Sequence, residues 1–324
     1  MSEARAAWNR FWFLPQETST LALFRIAFGL VAITWTATLG PNLSAFFGRD
    51  GVLPEATGPG NWGLLDLSDE PGFLVAVFVA TLIASVALTF GLFTRLAALV
   101  VWAGIVSFQH RNGLVTNSGD GLVRNLAFLC VLAPCGQSLS LDRLRADRAH
   151  VWEFPERAPW ALRLIQIQVS VGYVSAFWAK SGNPLWRSGT AVSYSERIED
   201  IHRWPLLDLV THSVLATNLF TYGTLAIELS IGVLVWNRTL RPWLLIVGIA
   251  LHLSIELSIM VGFFSLAMLT AYLSFVPAAR ATTVVLAIRD RTRRRAAALL
   301  ARLQKRRSSA GPLEAARMKR RKLG

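Results

Sequence analysis

The strongest constraint on this chain is a series of apolar blocks, among them LALFRIAFGLVAITWTATL at 21–39, FLVAVFVATLIASVALTFGLF at 73–93 and LFTYGTLAIELSIGVLVWN at 219–237. Each has about the 20 residues that an α-helix needs to cross a bilayer, which is more than the core of a water-soluble domain buries in one run. The fold class that follows is all-α, a polytopic integral membrane protein with about eight transmembrane helices. Hydropathy places them at roughly 20–38, 73–93, 96–110, 121–135, 161–179, 219–237, 242–260 and 262–278. No small-x-small cleavage site follows the first block, so it reads as a retained span rather than a signal peptide. Residues 1–19 precede the transmembrane domain (20–278) as a short cytoplasmic segment, and residues 279–324 follow it as a basic tail.

Charge sorts the two sides. Residues 280–324 carry 15 Lys and Arg against two acids, Asp290 and Glu314, which equals the net charge of +13 and leaves the body neutral. Basic loops stay in the cytoplasm. The tail, the 142–163 segment with Arg143, Arg145, Arg148 and Arg157, and the turn with Arg238 and Arg241 therefore fall inside. Eight crossings then make both termini cytoplasmic, and the acidic 39–72 loop, the 110–120 turn and the 180–218 connection converge outside. From 282 to 307 the tail mixes apolar and basic positions among helix formers, which reads as a helix on the inner leaflet, with disorder from Ser308 onward. Arg293, Arg294, Arg295, Lys305, Arg306 and Arg307 are its candidate contacts to anionic lipid headgroups, each worth about 1 kcal/mol. A purely topogenic tail is the alternative. Because the positive charge is confined to a segment beside a span, the lipid bilayer is the expected partner and no nucleic acid is expected.

Ionisable groups in hydrocarbon are costly and persist where they have partners or a function. Arg25, Glu228, His252 and Glu256 are of this kind. His252 and Glu256 are i and i+4 on the seventh span, a spacing at which a carboxylate can orient an imidazole. Glu228 lies near the middle of the sixth span, Lys180 at the outer end of the fifth, and Asn117 and Asp120 in an outer turn. These placements lead to the expectation of one polar pocket in the outer half of the membrane, built by spans five to seven. The structural alternatives are an interhelical hydrogen-bond pair for His252 and Glu256, and an acid partner or a reach to the inner headgroups for Arg25. Lys180 is the one lysine before residue 305 in a chain with 29 arginines. A snorkelling cation at a helix end can be either residue, whereas only an amine can lose its proton and act as a base. Both readings of Lys180 stay open at this point.

Cys130 and Cys135 close one hydrophobic block with no second pair to complete a metal site, so they read as reduced packing residues and no metal is expected. A phosphate loop, a full dinucleotide fingerprint and a G-x-S-x-G elbow are missing as well.

In order along the chain, LALFRIAFGL with FFGRDGVLP, GLFTRLAALVVW, RNGLVTNSGDGLVRNLAF, SLSLDR, AKSGNPLWRSGTA and HLSIELSIMVGFFSLAML resemble the HTTM domain. This is the membrane domain shared by vitamin K-dependent gamma-glutamyl carboxylases and many bacterial relatives, and the resemblance covers about residues 20–278. It implies a multi-pass protein of the bacterial inner membrane and, as cofactor, reduced vitamin K or menaquinol. In the carboxylases a base deprotonates the reduced naphthoquinone, oxygen adds, and the resulting strong base removes a proton from a peptide glutamate, which takes up carbon dioxide. By resemblance Lys180 and His252 are the first catalytic candidates. The eukaryotic enzymes carry two adjacent lysines in this motif. The second, taken as the base, aligns with Ser181, and Lys180 aligns with the first. The outer-turn histidine of those enzymes has no counterpart between Asn117 and Asp120, and their large lumenal domain is expected to be missing. Two functions follow. One is a quinol-dependent oxidative or carboxylating modifier of a peptide or small molecule at the outer membrane face. The other is a non-catalytic accessory factor for maturation or export of a secreted peptide.

Overall fold

A helix forms at each of the eight expected positions. After a short α1 (Glu3–Phe13) come α2 (Ser19–Leu39), α3 (Pro71–Phe90), α4 (Thr94–Arg111), α5 (Ser118–Leu132), α6 (Trp160–Ser181), α7 (Val214–Leu234), α8 (Arg241–Ser258) and α9 (Phe264–Tyr272). The computed structural model describes residues 2–58, 60, 62–204 and 211–321, with side chains described as far as Ala301. Local chemistry sets the helix ends. Pro71 and Pro242 sit in first turns, where the missing N–H leaves no hydrogen bond unmade. At α5, Asn117 Oδ1 accepts from the Gly119 N–H at 2.7 Å and Asp120 Oδ2 accepts from the Asn117 N–H at 2.7 Å, a reciprocal cap. The hydroxyl of Ser213 caps α7 by accepting from the Ala216 N–H at 3.3 Å. Gly91 ends α3 with φ +69°, in the left-handed region, and a Cβ there would lie 2.4 Å from Arg25 Nη1.

Length and composition qualify four segments among the described residues to cross a membrane: Ser19–Phe47, which extends α2, together with α3, α7 and α8. The number becomes five if Phe264–Phe275 and Ala278–Ala301 count as one span. The expectation of about eight spans is thus matched in helix positions but not in helix length and apolarity. α5 has 15 residues and α9 has nine. α4 carries Gln109 and Arg111, and α6 carries Gln166 and Lys180. The physical reason lies in the packing: α9 sits against α2, α5, α6 and α8, where other helices rather than lipid surround it.

Neighbours in sequence pack in series, α2 on α3, α3 on α4 and α4 on α5, then α6 on α7 and α7 on α8, with α9 joining the two groups. Phe24, Phe28, Leu88, Val101, Ile105, Leu126 and Ile165 are fully buried where these helices meet. α7 and α8 instead turn Leu219, Val233, Trp243, Leu253 and Leu257 outward, an apolar surface suited to lipid. On the side of the basic loops, β1 (Gln16–Glu17) pairs antiparallel with β2 (Glu156–Arg157), Gln16 opposite Arg157.

The chain divides into two compact units, Met1–Ala278 and Ala279–Gly324. The second is built on α10 (Ala278–Arg321). This helix runs past Ser308, where the sequence reading has order ending. Leu, Glu, Ala, Arg, Met and Lys fill positions 313–321, and these are strong helix formers. Arg293, Arg294 and Arg295 are exposed on it, while Lys305, Arg306 and Arg307 lie outside the residues whose side chains are described.

Candidate functional site

The stretch AKSGNPLW places its lysine with some care. α6 ends at Ser181, and Asn183 caps the next turn, Pro184–Arg187, by accepting from the Leu185 N–H at 2.9 Å. That turn folds the Trp186 ring back to 5.0 Å from Lys180 Nζ, a cation–π contact. Lys180 Nζ also donates to Glu228 Oε1 of α7, joining two residues 48 positions apart in an ion pair. Glu228 is 5% exposed, and its other oxygen, Oε2, is buried with no hydrogen-bond partner among the described residues. Lys180 is therefore an ion-pair partner that donates a hydrogen bond to a carboxylate.

His252 belongs to a second buried group. Its Nε2 is 2.7 Å from the Tyr173 hydroxyl of α6, which in turn is hydrogen-bonded to the Tyr272 hydroxyl of α9. The Phe264 ring lies 5.5 Å from the imidazole. Both hydroxyl protons are used when Tyr272 donates to Tyr173 and Tyr173 donates to Nε2, an arrangement that leaves the ring proton on Nδ1. Nδ1 is buried and has no partner among the described residues. Gly248 makes room for this chain, because a Cβ there would lie 2.3 Å from the Tyr272 hydroxyl.

The expected pairing of His252 with Glu256 is not made. Glu256 Oε1 accepts instead from Arg203 Nη1 at 2.7 Å. The connection that follows α6 runs along the end of α8, where His202 pairs with Ile259, the Met260 N–H donates to Ile201 O at 2.7 Å and the Arg203 N–H donates to Ser258 O at 2.9 Å. This brings a guanidinium to Glu256, and a bond to a full cation outcompetes one to an imidazole already held by tyrosine.

Asn117 and Asp120 also leave the expected pocket. Both are committed to the α5 cap, and Asp120 Oδ1 accepts from the Trp35 indole N–H at 2.7 Å while its carbonyl accepts from Gln109 Nε2 at 2.8 Å. Arg25 makes no ion pair with an acid among the described residues. It is fully buried and donates through Nη1 to Cys135 O at 3.1 Å and Ser138 O at 3.3 Å, and through Nη2 to Leu139 O at 2.5 Å. Cys130 and Cys135 are free and buried beside it. Two surface clefts, of about 580 and 270 Å³, lie elsewhere. The larger includes Cys135, Gln137 and Asp142, and the smaller Tyr194, Arg197 and Asn218. Asp142 accepts from the N–H groups of Phe93 and Thr94, both at 2.8 Å, and from the Thr94 hydroxyl at 2.6 Å. Burial alone would push its carboxyl up, but these hydrogen bonds and Arg145 outweigh it and hold the carboxyl below the usual value.

Tyr173 and Tyr272 are the residues that sequence reasoning missed. The available signal was scarcity: the chain has four tyrosines, and a tyrosine inside an apolar span needs a partner for its hydroxyl. Tyr173 also lies two turns before Lys180 on the same helix.

No curated protein and no solved structure matches the chain. A family model described as the HTTM domain matches residues 13–279, most of the chain, and the chain belongs to the HTTM domain family.

Proposed function

We propose that this protein binds a reduced quinone within the membrane and uses its oxidation to modify a peptide or small molecule at the outer face. Family membership makes residues 13–279 a vitamin K-dependent carboxylase-like membrane domain. The observation that carries the reading is the Lys180–Glu228 ion pair among apolar helices, in which the buried Oε2 of Glu228 has no partner among the described residues, as is also true of the buried Nδ1 of His252. Ionisable groups in such surroundings mark function by default. A lipid-borne quinol fits this donor set, because it brings an apolar ring and two oxygens to an acceptor at Glu228 Oε2 and a donor at His252 Nδ1. When bound, it supplies the reducing power that activates oxygen. Lys180, Glu228 and His252 would hold it. Tyr173 and Tyr272 fix the imidazole, and the Trp186 ring makes a cation–π contact with the ammonium.

The proposed setting is the bacterial inner membrane, with α2 to α9 as eight crossings, both termini in the cytoplasm and the tail against anionic headgroups. The basic segments at 142–163, 238–241 and 280–324 support it. A Gly60→Cys variant is expected to react with a membrane-impermeant thiol reagent on intact cells and a Ser309→Cys variant is not. The reverse pattern would invert the orientation and move the ion pair to the inner half.

The functional reading is tested by oxygen consumption with a reduced naphthoquinone. The full-length protein is expected to consume oxygen above the detergent blank, and a His252→Gln variant with an unchanged melting temperature is expected to do so at least about tenfold more slowly. A wild-type rate equal to the blank, together with a tightly co-purifying secreted peptide, would favour the accessory role instead.

A further inference from the structure

We infer that Glu228 is the residue that accepts the proton of a ligand hydroxyl, and that Lys180 is its positioning partner. The inference rests on the quinol reading above and assigns roles within that site.

The two residues of the pair differ in what they still have to offer. Lys180 Nζ already donates to Glu228 Oε1 and lies against the Trp186 ring at 5.0 Å, so the amine is engaged as a cation on both sides. Glu228 has one oxygen engaged and one open. Oε2 is buried, has no partner among the described residues, and belongs to a residue that is 95% shielded from solvent. A carboxylate oxygen buried without a donor is costly in a folded protein, and such an atom is satisfied by a hydroxyl that a ligand brings. Lys180 of α6 bonds to Oε1, while Tyr173 of the same helix bonds to His252 of α8 and to Tyr272 of α9, so those polar groups are committed to one another. Glu228 keeps one buried oxygen without a partner among the described residues.

In the proton transfer, the O–H bond of the ligand hydroxyl breaks, its electron pair stays on the ligand oxygen, and the proton forms a bond to Oε2. Glu228 becomes neutral and the ligand oxygen becomes negative. The Lys180 ammonium then balances the ligand oxygen in place of the carboxylate, so the net charge of the site is the same before and after. A buried site tolerates that exchange far better than the creation of an unpaired charge. On this account a positive charge at position 180 is needed, and a removable proton there is not.

The test uses the full-length protein in lipid nanodiscs, with a reduced naphthoquinone added without oxygen and infrared difference spectra recorded on binding. Wild type is expected to gain a protonated-carboxyl band, and Lys180→Arg, which keeps the positive charge, to gain the same band. Glu228→Gln is expected to gain no such band and to lose at least about a hundredfold in oxygen consumption. Glu228→Asp, which keeps a carboxylate, is expected to recover the band, and melting temperatures establish that each variant is folded. A band that persists in Glu228→Gln, or its absence from wild type that has bound the ligand, overturns the assignment while leaving the quinol reading intact. A wild type that binds no naphthoquinone overturns both.

Discussion

Asp120 and Glu228 are both carboxylates inside the helical bundle, 7% and 5% exposed, and they are used in opposite ways. Asp120 has both oxygens engaged, one by the Trp35 indole at 2.7 Å and the other by the backbone N–H of Asn117 at 2.7 Å. Glu228 has one oxygen on Lys180 and the other without a partner among the described residues. The first charge is saturated by groups that belong to the fold, so removing it undoes structure. The second is held by a partner that only half satisfies it, which is the condition of a group that waits for a ligand. Burial alone therefore does not separate a structural carboxylate from a functional one, and the tally of filled acceptor positions does.

The largest expected effect follows from that difference. Asp120→Leu removes an acceptor of the α5 cap and leaves the indole N–H of Trp35 buried without a partner, a loss of about 2–4 kcal/mol. The double substitution Glu228→Leu with Lys180→Leu replaces a paired charge by apolar side chains and is expected to change stability by less than about 1 kcal/mol. Thermal melts of the two proteins in one detergent rank them. If the Glu228 and Lys180 double variant melts below the Asp120 variant, the ion pair is a structural element and the comparison fails.

A smaller effect comes from Asp142, a carboxylate of the basic 142–163 segment that is saturated like Asp120 but stands near water. Its folded-state value is depressed, so its contribution is fully present above its ordinary value of 3.8 and disappears as the pH falls through the depressed one. Asp142→Asn is expected to lower stability by about 1 kcal/mol or less at neutral pH, after allowance for partial exposure. The gap between wild type and variant should hold steady down to about pH 5 and close toward pH 3. A gap that does not narrow in acid would mean that the hydrogen bonds of Asp142 do not depend on its charge.

Helix positions were legible in the sequence because hydropathy acts along the chain, and each of the eight expected segments is a helix. How many of them cross a membrane is not legible from length and apolarity alone, because α5 and α9 are short helices packed among others. Lys180 stood out through the rarity of lysine, but its partner Glu228 is 48 residues away on another helix, and composition carries no distance. Glu256 was misassigned because i, i+4 spacing permits a bond to His252 without requiring one, and Arg203 arrives from a distant loop. Asn117 and Asp120 carry the N-x-x-D spacing of a helix cap, a local signal that the sequence reading did not use. The partners of Arg25 are backbone carbonyls, which every sequence contains and none displays.

The central claim is that the open oxygen of Glu228 serves a bound quinol. The most direct measurement is mass spectrometry of the lipid extracted from purified full-length protein, beside the same extract from the Glu228→Leu and Lys180→Leu double variant. Wild type is expected to carry a naphthoquinone in near-stoichiometric amount, and the equally folded variant at least about tenfold less, a difference of about 1.4 kcal/mol in binding. Equal amounts in the two proteins, or none in wild type, would contradict the claim.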